Sequence, residues 1–90
     1  MNEIIIAYDA SFLDQYDCLP KQIKEKFKKQ IKALKNNPKH PSLRIHRIKG
    51  TEFWEFYVDE YYRCVFKQNG NIYSLFFVGT HKLIDRFNSH

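Results

Sequence analysis

The spacing of the apolar residues changes once along the chain, near Pro41, and this change constrains the fold more than any other feature. Between residues 20 and 36 the apolar residues recur every three or four positions, which predicts an amphipathic helix. After Pro41 apolar and polar residues alternate, as they do in half-buried strands. The apolar face of the predicted helix consists of Ile23, Phe27, Ile31 and Leu34. The chain therefore places helices before most of its strands.

A first strand at residues 4–8 and a short helix precede the amphipathic helix, and Asp9 or Ser11 can cap the short helix. Further strands are predicted at residues 43–48, 53–58, 61–67 and 72–78. Asn69–Gly70 predicts a tight hairpin, Gly79 is expected to end the last strand, and Thr80 to cap a final helical turn. The predicted fold class is α+β, with the order β-α-α-β-β-β-β and an antiparallel sheet of about four to five strands packed on an N-terminal helical hairpin.

The length of 90 residues predicts a single domain spanning 1–90. No apolar run approaches the roughly 20 residues that cross a bilayer, so no membrane association is expected. Glu3 stands where a signal peptide has a basic flank, and Cys18 and Cys64 form no disulfide framework. A cytoplasmic protein is therefore expected.

The positive charge is concentrated in one third of the chain. Residues 21–49 contain eleven Lys and Arg residues and the single acid Glu25, whereas the formal net charge of the whole chain is +5. A basic segment of this kind is typical of a protein that meets an anionic partner, although a solvated lysine-rich helix face has the same composition. The charge alone leaves both interpretations open.

The common catalytic motifs are absent from the sequence. There is no glycine-rich phosphate loop and no nucleophile elbow, and the four histidines are too scattered for a metal site, so no cofactor or metal is predicted. Three cationic or titratable residues remain, each on or just beyond a different predicted strand: His46, Arg63 and His81.

Three short patterns surround these residues and carry a resemblance to a known family. They are H-x-I-x-G at 46–50 followed by Trp54, Y-R at 62–63 before an apolar strand, and V-G-x-H at 78–81. In this order and spacing they resemble the RelE/ParE toxins of bacterial type II toxin–antitoxin pairs, over nearly the whole chain. The resemblance implies a RelE-like fold, a cognate antitoxin protein as partner, and ribosome-dependent, metal-independent cleavage of mRNA in the ribosomal A site.

The resemblance also implies roles for individual residues. RNA supplies its own nucleophile, the 2′-hydroxyl, so the enzyme needs a base, an acid and a cation for the charged phosphate. His46 is the candidate general base, His81 the candidate general acid, and Arg63 the phosphate clamp; the two histidines can exchange roles. We expect the three side chains to lie within about 10 Å of one another on one face. The candidate RNA-binding residues are Arg44, Arg47, Lys49, Lys82 and Phe87. The products would carry 2′,3′-cyclic phosphate and 5′-hydroxyl ends.

The sequence departs from the family at two places. The lysine-using endonucleases have lysines on the strand where this chain has Trp54 and Phe56, so that mechanism is excluded. Where some relatives have an aromatic residue four positions after the last histidine, this chain has Asp85, and Phe87 follows two residues later.

Other functions and other roles stay open at this stage. One alternative is a ParE-like toxin that inhibits DNA gyrase without cutting nucleic acid, and another is a non-catalytic module that binds RNA or a protein partner. Arg63 has the structural alternative of pairing with Asp59 or Glu60. Trp54 and Cys64 are expected to lie in the core, and His40 and His90 to be incidental.

Overall fold

Five strands and three helices make up the chain from residue 3 to residue 88, the part that the computed structural model describes; for residues 86–88 it describes only the backbone. The elements in chain order are β1 (Ile5–Tyr8), α1 (Ala10–Asp17), α2 (Lys21–Asn36), a 3₁₀ turn (Pro41–Leu43), β2 (His46–Arg47), β3 (Trp54–Tyr57), β4 (Tyr62–Asn69), β5 (Ile72–Thr80) and α3 (His81–Asn88). No helix within residues 3–88 is long and apolar enough to cross a membrane.

The strands form one sheet in the order β1-β5-β4-β3-β2. The predicted α+β class is confirmed, and the pairs β2–β3, β3–β4 and β4–β5 are antiparallel as expected. The pair β1–β5 is parallel, so the sheet is mixed and not purely antiparallel. Parallel neighbours need a long crossover connection, and here α1, α2 and three strands lie between them in the chain.

The helices α1 and α2 pack their apolar faces on one side of the sheet. The Asp9 side chain accepts a hydrogen bond from the Ser11 main-chain nitrogen and caps α1, as the sequence allowed. The buried residues of this layer include Phe12, Ile23, Phe27 and Leu34 from the helices and Phe56, Cys64, Phe66 and Leu75 from the sheet. The predicted helix face and the core position of Cys64 are confirmed, and burial raises the pKa of the Cys64 thiol well above its usual value.

A buried glutamine fastens α2 to the segments beside the candidate site. Gln30 is 8% exposed, and its side-chain nitrogen donates to the main-chain oxygens of Tyr57 at 2.7 Å and Ser42 at 3.2 Å. Buried polar groups are tolerated when they are hydrogen-bonded in this way. Gln30 therefore fixes β3 and the 3₁₀ turn relative to the helix.

Two predicted strand boundaries are wrong. The segment 43–48 is not one strand: the chain makes the 3₁₀ turn, Arg44 adopts a left-handed conformation with φ of 47°, and only His46–Arg47 is paired. Pro41 starts this turn, and the His40 ring nitrogen accepts from the Ser42 main-chain nitrogen. Gly79 does not end the last strand, because β5 continues through it to Thr80.

The second face of the sheet carries a smaller apolar cluster under α3. Its buried members are Ile48, Val65 and Ile84, with Phe53 and Phe77 packed against them. A Cβ at Gly79 would lie 3.1 Å from both Leu83 and Phe77, so the glycine permits a close approach of α3 to the sheet. The Thr80 hydroxyl accepts from the Leu83 main-chain nitrogen, which confirms the predicted cap. The candidate residues lie beside this cluster.

Candidate active site

Strand alternation places four polar side chains on the face of the sheet opposite α1 and α2. Phe56 is fully buried among the helices, so its neighbours Glu55 and Tyr57 point to the other face. His46 is the register partner of Glu55, and Arg63 is the register partner of Tyr57. The sheet therefore brings His46 and Arg63 to one surface, with two β3 residues between them.

The His46 ring is held at both of its nitrogens. Its Nε2 lies 2.8 Å from a carboxylate oxygen of Glu55, and its Nδ1 lies 2.9 Å from the main-chain oxygen of Arg44. The His46 side chain is 50% exposed, whereas the Glu55 side chain is 9% exposed. Solvent and ligands can thus reach the imidazole from outside, while the carboxylate supports it from within the sheet.

The guanidinium of Arg63 is buried against an aromatic ring. Arg63 is 5% exposed, and its Cζ lies 3.4 Å from the centroid of the Tyr57 ring. Its Nη1 donates to the main-chain oxygens of Asp59 at 2.8 Å and Tyr62 at 3.2 Å. Its buried Nε has no hydrogen-bond partner among the residues that the structure describes. Most of the arginine is therefore occupied in supporting Tyr57 and the turn after β3.

The bond from Arg63 goes to the Asp59 main chain, not to its carboxylate. That carboxylate instead accepts from the main-chain nitrogens of Tyr61 and Tyr62 and lies 3.4 Å from Lys26 Nζ. Burial raises the pKa of Asp59, but these hydrogen bonds and the Lys26 charge outweigh it and hold the pKa below its usual value. Of the structural alternatives for Arg63, pairing with the Asp59 carboxylate is therefore replaced by a hydrogen bond to the Asp59 main chain.

Tyr57 links these groups and a second guanidinium. The Cζ of Arg44 lies 5.2 Å from the Tyr57 ring centroid, and the His46 ring lies 6.4 Å from it in an edge-on arrangement. Arg44 is exposed, and its left-handed backbone is uncommon outside glycine, asparagine and aspartate. The Tyr57 cluster, which comprises His46, Glu55, Tyr57, Arg44 and Arg63, therefore contains one exposed and one buried guanidinium.

His81 lies at the other side of Arg63. It is the first residue of α3, its main-chain nitrogen donates to Tyr61 at 2.7 Å, and its Nε2 lies 3.3 Å from Asp85. The register places His46 at the level of Phe77, three strand spacings and four residues away from His81. In a flat sheet this would separate the two Cα atoms by roughly 20 Å, with Arg63 between them, so the two rings can meet at one phosphate only if both side chains extend toward Arg63. The expected convergence on one phosphate stays a prediction.

Glu55 and Tyr57 were missed as site residues by sequence reasoning. On this strand only Trp54 and Phe56 were compared with the lysines of the lysine-using endonucleases. Both contact the core on the helix side of the sheet, as expected for Trp54. The alternation of side chains along β3 already indicated these two residues. If Trp54 and Phe56 face the core, Glu55 and Tyr57 must point to the opposite face of the sheet, which is the face of His46. Asp85, four residues after His81 on α3, pairs with it.

The candidate RNA-binding residues are surface residues wherever their side chains are described. Arg44, Arg47, Lys49 and Lys82 are exposed, and Arg47 Nε donates to the main-chain oxygen of Thr51. The side chain of Phe87 and the whole of His90 lie outside the described part of the chain. Among the described residues, no group of three or more His, Cys, Asp or Glu side chains could hold a metal ion.

Comparison with known proteins gives a structural answer only. No protein-family model matches the chain, and no curated protein matches its sequence. Among solved structures, YafQ from E. coli superimposes with a TM-score of 0.75 and 17% identity, over 91% of this chain and 98% of that chain. RelE in the RelB–RelE antitoxin–toxin complex from Methanococcus jannaschii gives a TM-score of 0.74 and 20% identity, over 90% and 96%.

A third similar structure is the YoeB/ParE toxin from Agrobacterium tumefaciens, with a TM-score of 0.71 and 17% identity, over 87% of this chain and 99% of that chain. All three superpositions span most of both chains, so the likeness includes the sheet, the helices and their order. The chain has the fold of the RelE/ParE-like toxins. The fold expected from the three sequence patterns is confirmed.

Proposed function

We propose that the protein is the toxin of a toxin–antitoxin pair and acts as a ribosome-dependent, metal-independent mRNA endonuclease. The observation that supports this most is the Tyr57 cluster, in which a half-exposed histidine lies beside two guanidiniums on one face of a RelE-like sheet. A gyrase inhibitor acting only through protein contacts does not need this combination. Proton transfer and stabilisation of phosphate charge do need it.

The reaction uses the RNA as its own nucleophile. A base removes the proton of a 2′-hydroxyl, the 2′-oxygen attacks the adjacent phosphorus, and an acid protonates the 5′-oxygen that leaves. One of the two histidines, His46 or His81, is the base, and the other is the acid. The buried guanidinium of Arg63 stabilises the negative charge of the phosphate from within the Tyr57 cluster. The guanidinium of Arg44 is exposed and can contact a phosphate oxygen directly. Arg47, Lys49, Lys82 and Phe87 are the proposed contacts to flanking nucleotides.

In vitro translation with the purified protein tests this function. Primer extension and end-group analysis should show discrete cuts within translated codons, with a 2′,3′-cyclic phosphate on the upstream fragment and a 5′-hydroxyl on the downstream fragment. These ends follow from attack by the neighbouring 2′-oxygen. The same mRNA without ribosomes is the control and should remain intact. A 5′-phosphate would identify water as the nucleophile and would refute the proposed chemistry.

The assay also separates the endonuclease from the alternatives. Intact mRNA combined with trapped gyrase–DNA cleavage complexes would identify a ParE-like inhibitor. Binding to ribosomes or RNA without cleavage would identify a non-catalytic module, because phosphate attraction requires only the positive charges. Either result would replace the proposal above.

The proposed partner is a cognate antitoxin. The similar structures include the E. coli DinJ–YafQ toxin–antitoxin complex, and that partner belongs to YafQ, not to this chain. The support from this chain is the exposed basic surface of α2, which includes Lys28, Lys29, Lys32 and Lys35. A segment that covers this surface is expected to be acidic and partly disordered before it binds.

Expression in bacteria tests the toxin–antitoxin proposal. Expression of this chain alone should arrest growth, and coexpression with the adjacent small open reading frame should restore it, since the antitoxin would mask the basic surface or displace a catalytic side chain. Recovery of the two proteins as one purified complex is the expected physical counterpart. Soluble, folded protein that leaves growth unchanged would contradict the toxin function.

A further inference from the structure

We propose that Tyr61 is a base-stacking residue of the RNA site: its ring receives a nucleobase next to the phosphate that is cleaved. The inference rests on the proposed endonuclease function and adds a substrate contact that none of the three sequence patterns contains. The Tyr61 side chain is 67% exposed, the largest exposed fraction of any large apolar or aromatic residue in the described part of the chain. Such a ring offers a broad apolar face that the fold itself leaves uncovered.

Tyr61 lies directly beside His81 on the face of the sheet opposite α1 and α2. Tyr62 pairs with Thr80 across β4 and β5. The hydrogen bond from the His81 main-chain nitrogen to the Tyr61 oxygen continues this pairing by one residue. Tyr62 packs against the helix-side core, so strand alternation directs Tyr61 to the opposite face, together with Arg63. Residues opposite each other in an antiparallel pair have Cβ atoms roughly 5 Å apart, so the phenol ring starts next to the imidazole.

The main chain at Tyr61 is held, whereas its ring is free to meet a ligand. The Tyr61 main-chain nitrogen donates to the Asp59 carboxylate at 2.8 Å, and its oxygen accepts from His81 at 2.7 Å. Within residues 3–85, whose side chains the structure describes, the Tyr61 ring has no ring contact, cation contact or hydrogen bond. Because the turn is already ordered, a base that stacks on the ring restricts little more than the ring itself, which lowers the entropic cost of binding.

The other aromatic rings on this face already have partners. The Tyr57 ring carries the Arg63 guanidinium at 3.4 Å and lies 5.2 Å from that of Arg44, so a base could stack closely on it only by displacing a cation. The remaining rings pack against the apolar cluster under α3 or against one another: Phe53, Phe76 and Phe77. Among the side chains that the structure describes on this face, Tyr61 therefore provides the accessible aromatic surface.

This arrangement suits single-stranded RNA. The bases of a single strand are free to stack on aromatic side chains, and every base has a π face, so the contact tolerates many sequences. A nucleobase is joined to its phosphate through one ribose. A base held by Tyr61 therefore brings the neighbouring 2′-hydroxyl and phosphate toward His81 and Arg63. Tyr61 positions the linkage and takes no part in the proton transfers.

Nuclear magnetic resonance of the free protein is the first test and does not depend on cleavage. The probe is a short oligonucleotide of 2′-O-methyladenosine, which lacks the attacking hydroxyls, at millimolar concentration and low salt. The Tyr61 ring protons, assigned from a Tyr61→Phe sample, should shift upfield because they enter the ring current of a stacked adenine. The ring of Tyr8 on the edge strand β1, which is 46% exposed, is the internal control and should not shift. An unshifted Tyr61 ring, or equal shifts of both rings, would overturn the inference.

Cleavage of ribosome-bound mRNA is the second test. Tyr61→Leu should reduce kcat/KM by roughly 5–150-fold, the usual effect of removing one base-stacking side chain. Tyr61→Phe and Tyr61→Trp keep an aromatic face and should retain most of the activity, which a requirement for apolar bulk alone would not explain. Tyr8→Leu is the matched control and should cleave normally. Since the Tyr61 ring lies mostly in solvent, thermal unfolding of Tyr61→Leu should match that of the unmodified protein.

The two proposals fail in distinguishable ways. If the unmodified protein leaves mRNA intact but the Tyr61 ring shifts with the oligonucleotide, the endonuclease function is refuted and the stacking contact is retained in an RNA-binding module. If mRNA is cleaved and Tyr61→Leu cleaves at the unmodified rate, the endonuclease function stands and the role of Tyr61 is refuted. Equal losses of activity in Tyr61→Leu and Tyr61→Phe would likewise refute stacking, because the second variant keeps the ring.

Discussion

Replacing His46 by alanine is expected to slow single-turnover mRNA cleavage by roughly 10²–10⁴-fold, the usual contribution of a general acid or base. The substitution also leaves the buried Glu55 carboxylate without its partner, so the variant is expected to be less stable. The double variant His46→Ala with Glu55→Gln removes that unpaired charge. It should recover stability in thermal unfolding without recovering cleavage, and this separates loss of chemistry from loss of fold.

The pH dependence of cleavage extends this prediction to the second histidine. With one histidine required protonated and the other neutral, the rate should follow a bell-shaped curve. His46→Ala should remove the limb that requires a free base, and His81→Ala the limb that requires a protonated acid. Loss of the opposite limbs would reverse the assignment. A folded His46→Ala variant that cleaves at the unmodified rate would remove His46 from the mechanism.

Replacing Arg63 by alanine should reduce the cleavage rate by roughly 10²–10³-fold at every pH, since the lost charge does not titrate in this range. Arg63 also donates to two main-chain oxygens and stacks on Tyr57. Loss of these contacts is expected to lower the free energy of unfolding by about 1–3 kcal/mol. Kinetics on the folded fraction, with unfolding measured in parallel, checks both effects.

Two further variants identify what Arg63 contributes. Lys67→Gln is the matched control, because Lys67 is a more exposed cation on the same strand whose ion pair is with Glu52, and it should cleave normally. Arg63→Lys keeps the charge but not the planar stack on Tyr57, so it should remain impaired. Full activity in Arg63→Ala would show that the buried guanidinium has no part in cleavage.

Much of the fold could be predicted because its signals are local. The apolar period of α2 determines which side chains it buries. The Asn69–Gly70 signal predicts the hairpin between β4 and β5, but the turn lies one residue later: Asn69 pairs with Ile72, and the turn residues are Asn71 and Gly70, which has a positive φ. The parallel pairing of β1 could not be predicted in the same way. It depends on which edge of the sheet is free once β5 has formed, and the sequences of β1 and β5 do not indicate this edge.

The candidate site was predictable only in part for a related reason. Strand patterns bring His46 and Arg63 to the sheet, but the burial of Arg63 depends on Tyr57 in a neighbouring strand. The contact between His46 and Glu55 depends on the register of two strands separated by a six-residue loop. Arg44 was expected in a strand and instead occupies a left-handed turn, because the main chain turns there before β2. These are consequences of pairing, not of local sequence.

The parallel pairing of β1 and β5 has a consequence for how the protein folds as it is synthesised. Ile5 pairs with Ile72 and Tyr8 with Leu75, so the first strand to be made can be paired only after the last one exists. Contacts between such distant residues form late and slow the folding of a small domain. Arg63 on β4 and His81 after β5 likewise require β5 for their final positions. A growing chain therefore passes through most of its synthesis without the assembled site, and acquires it in the same event that closes the sheet.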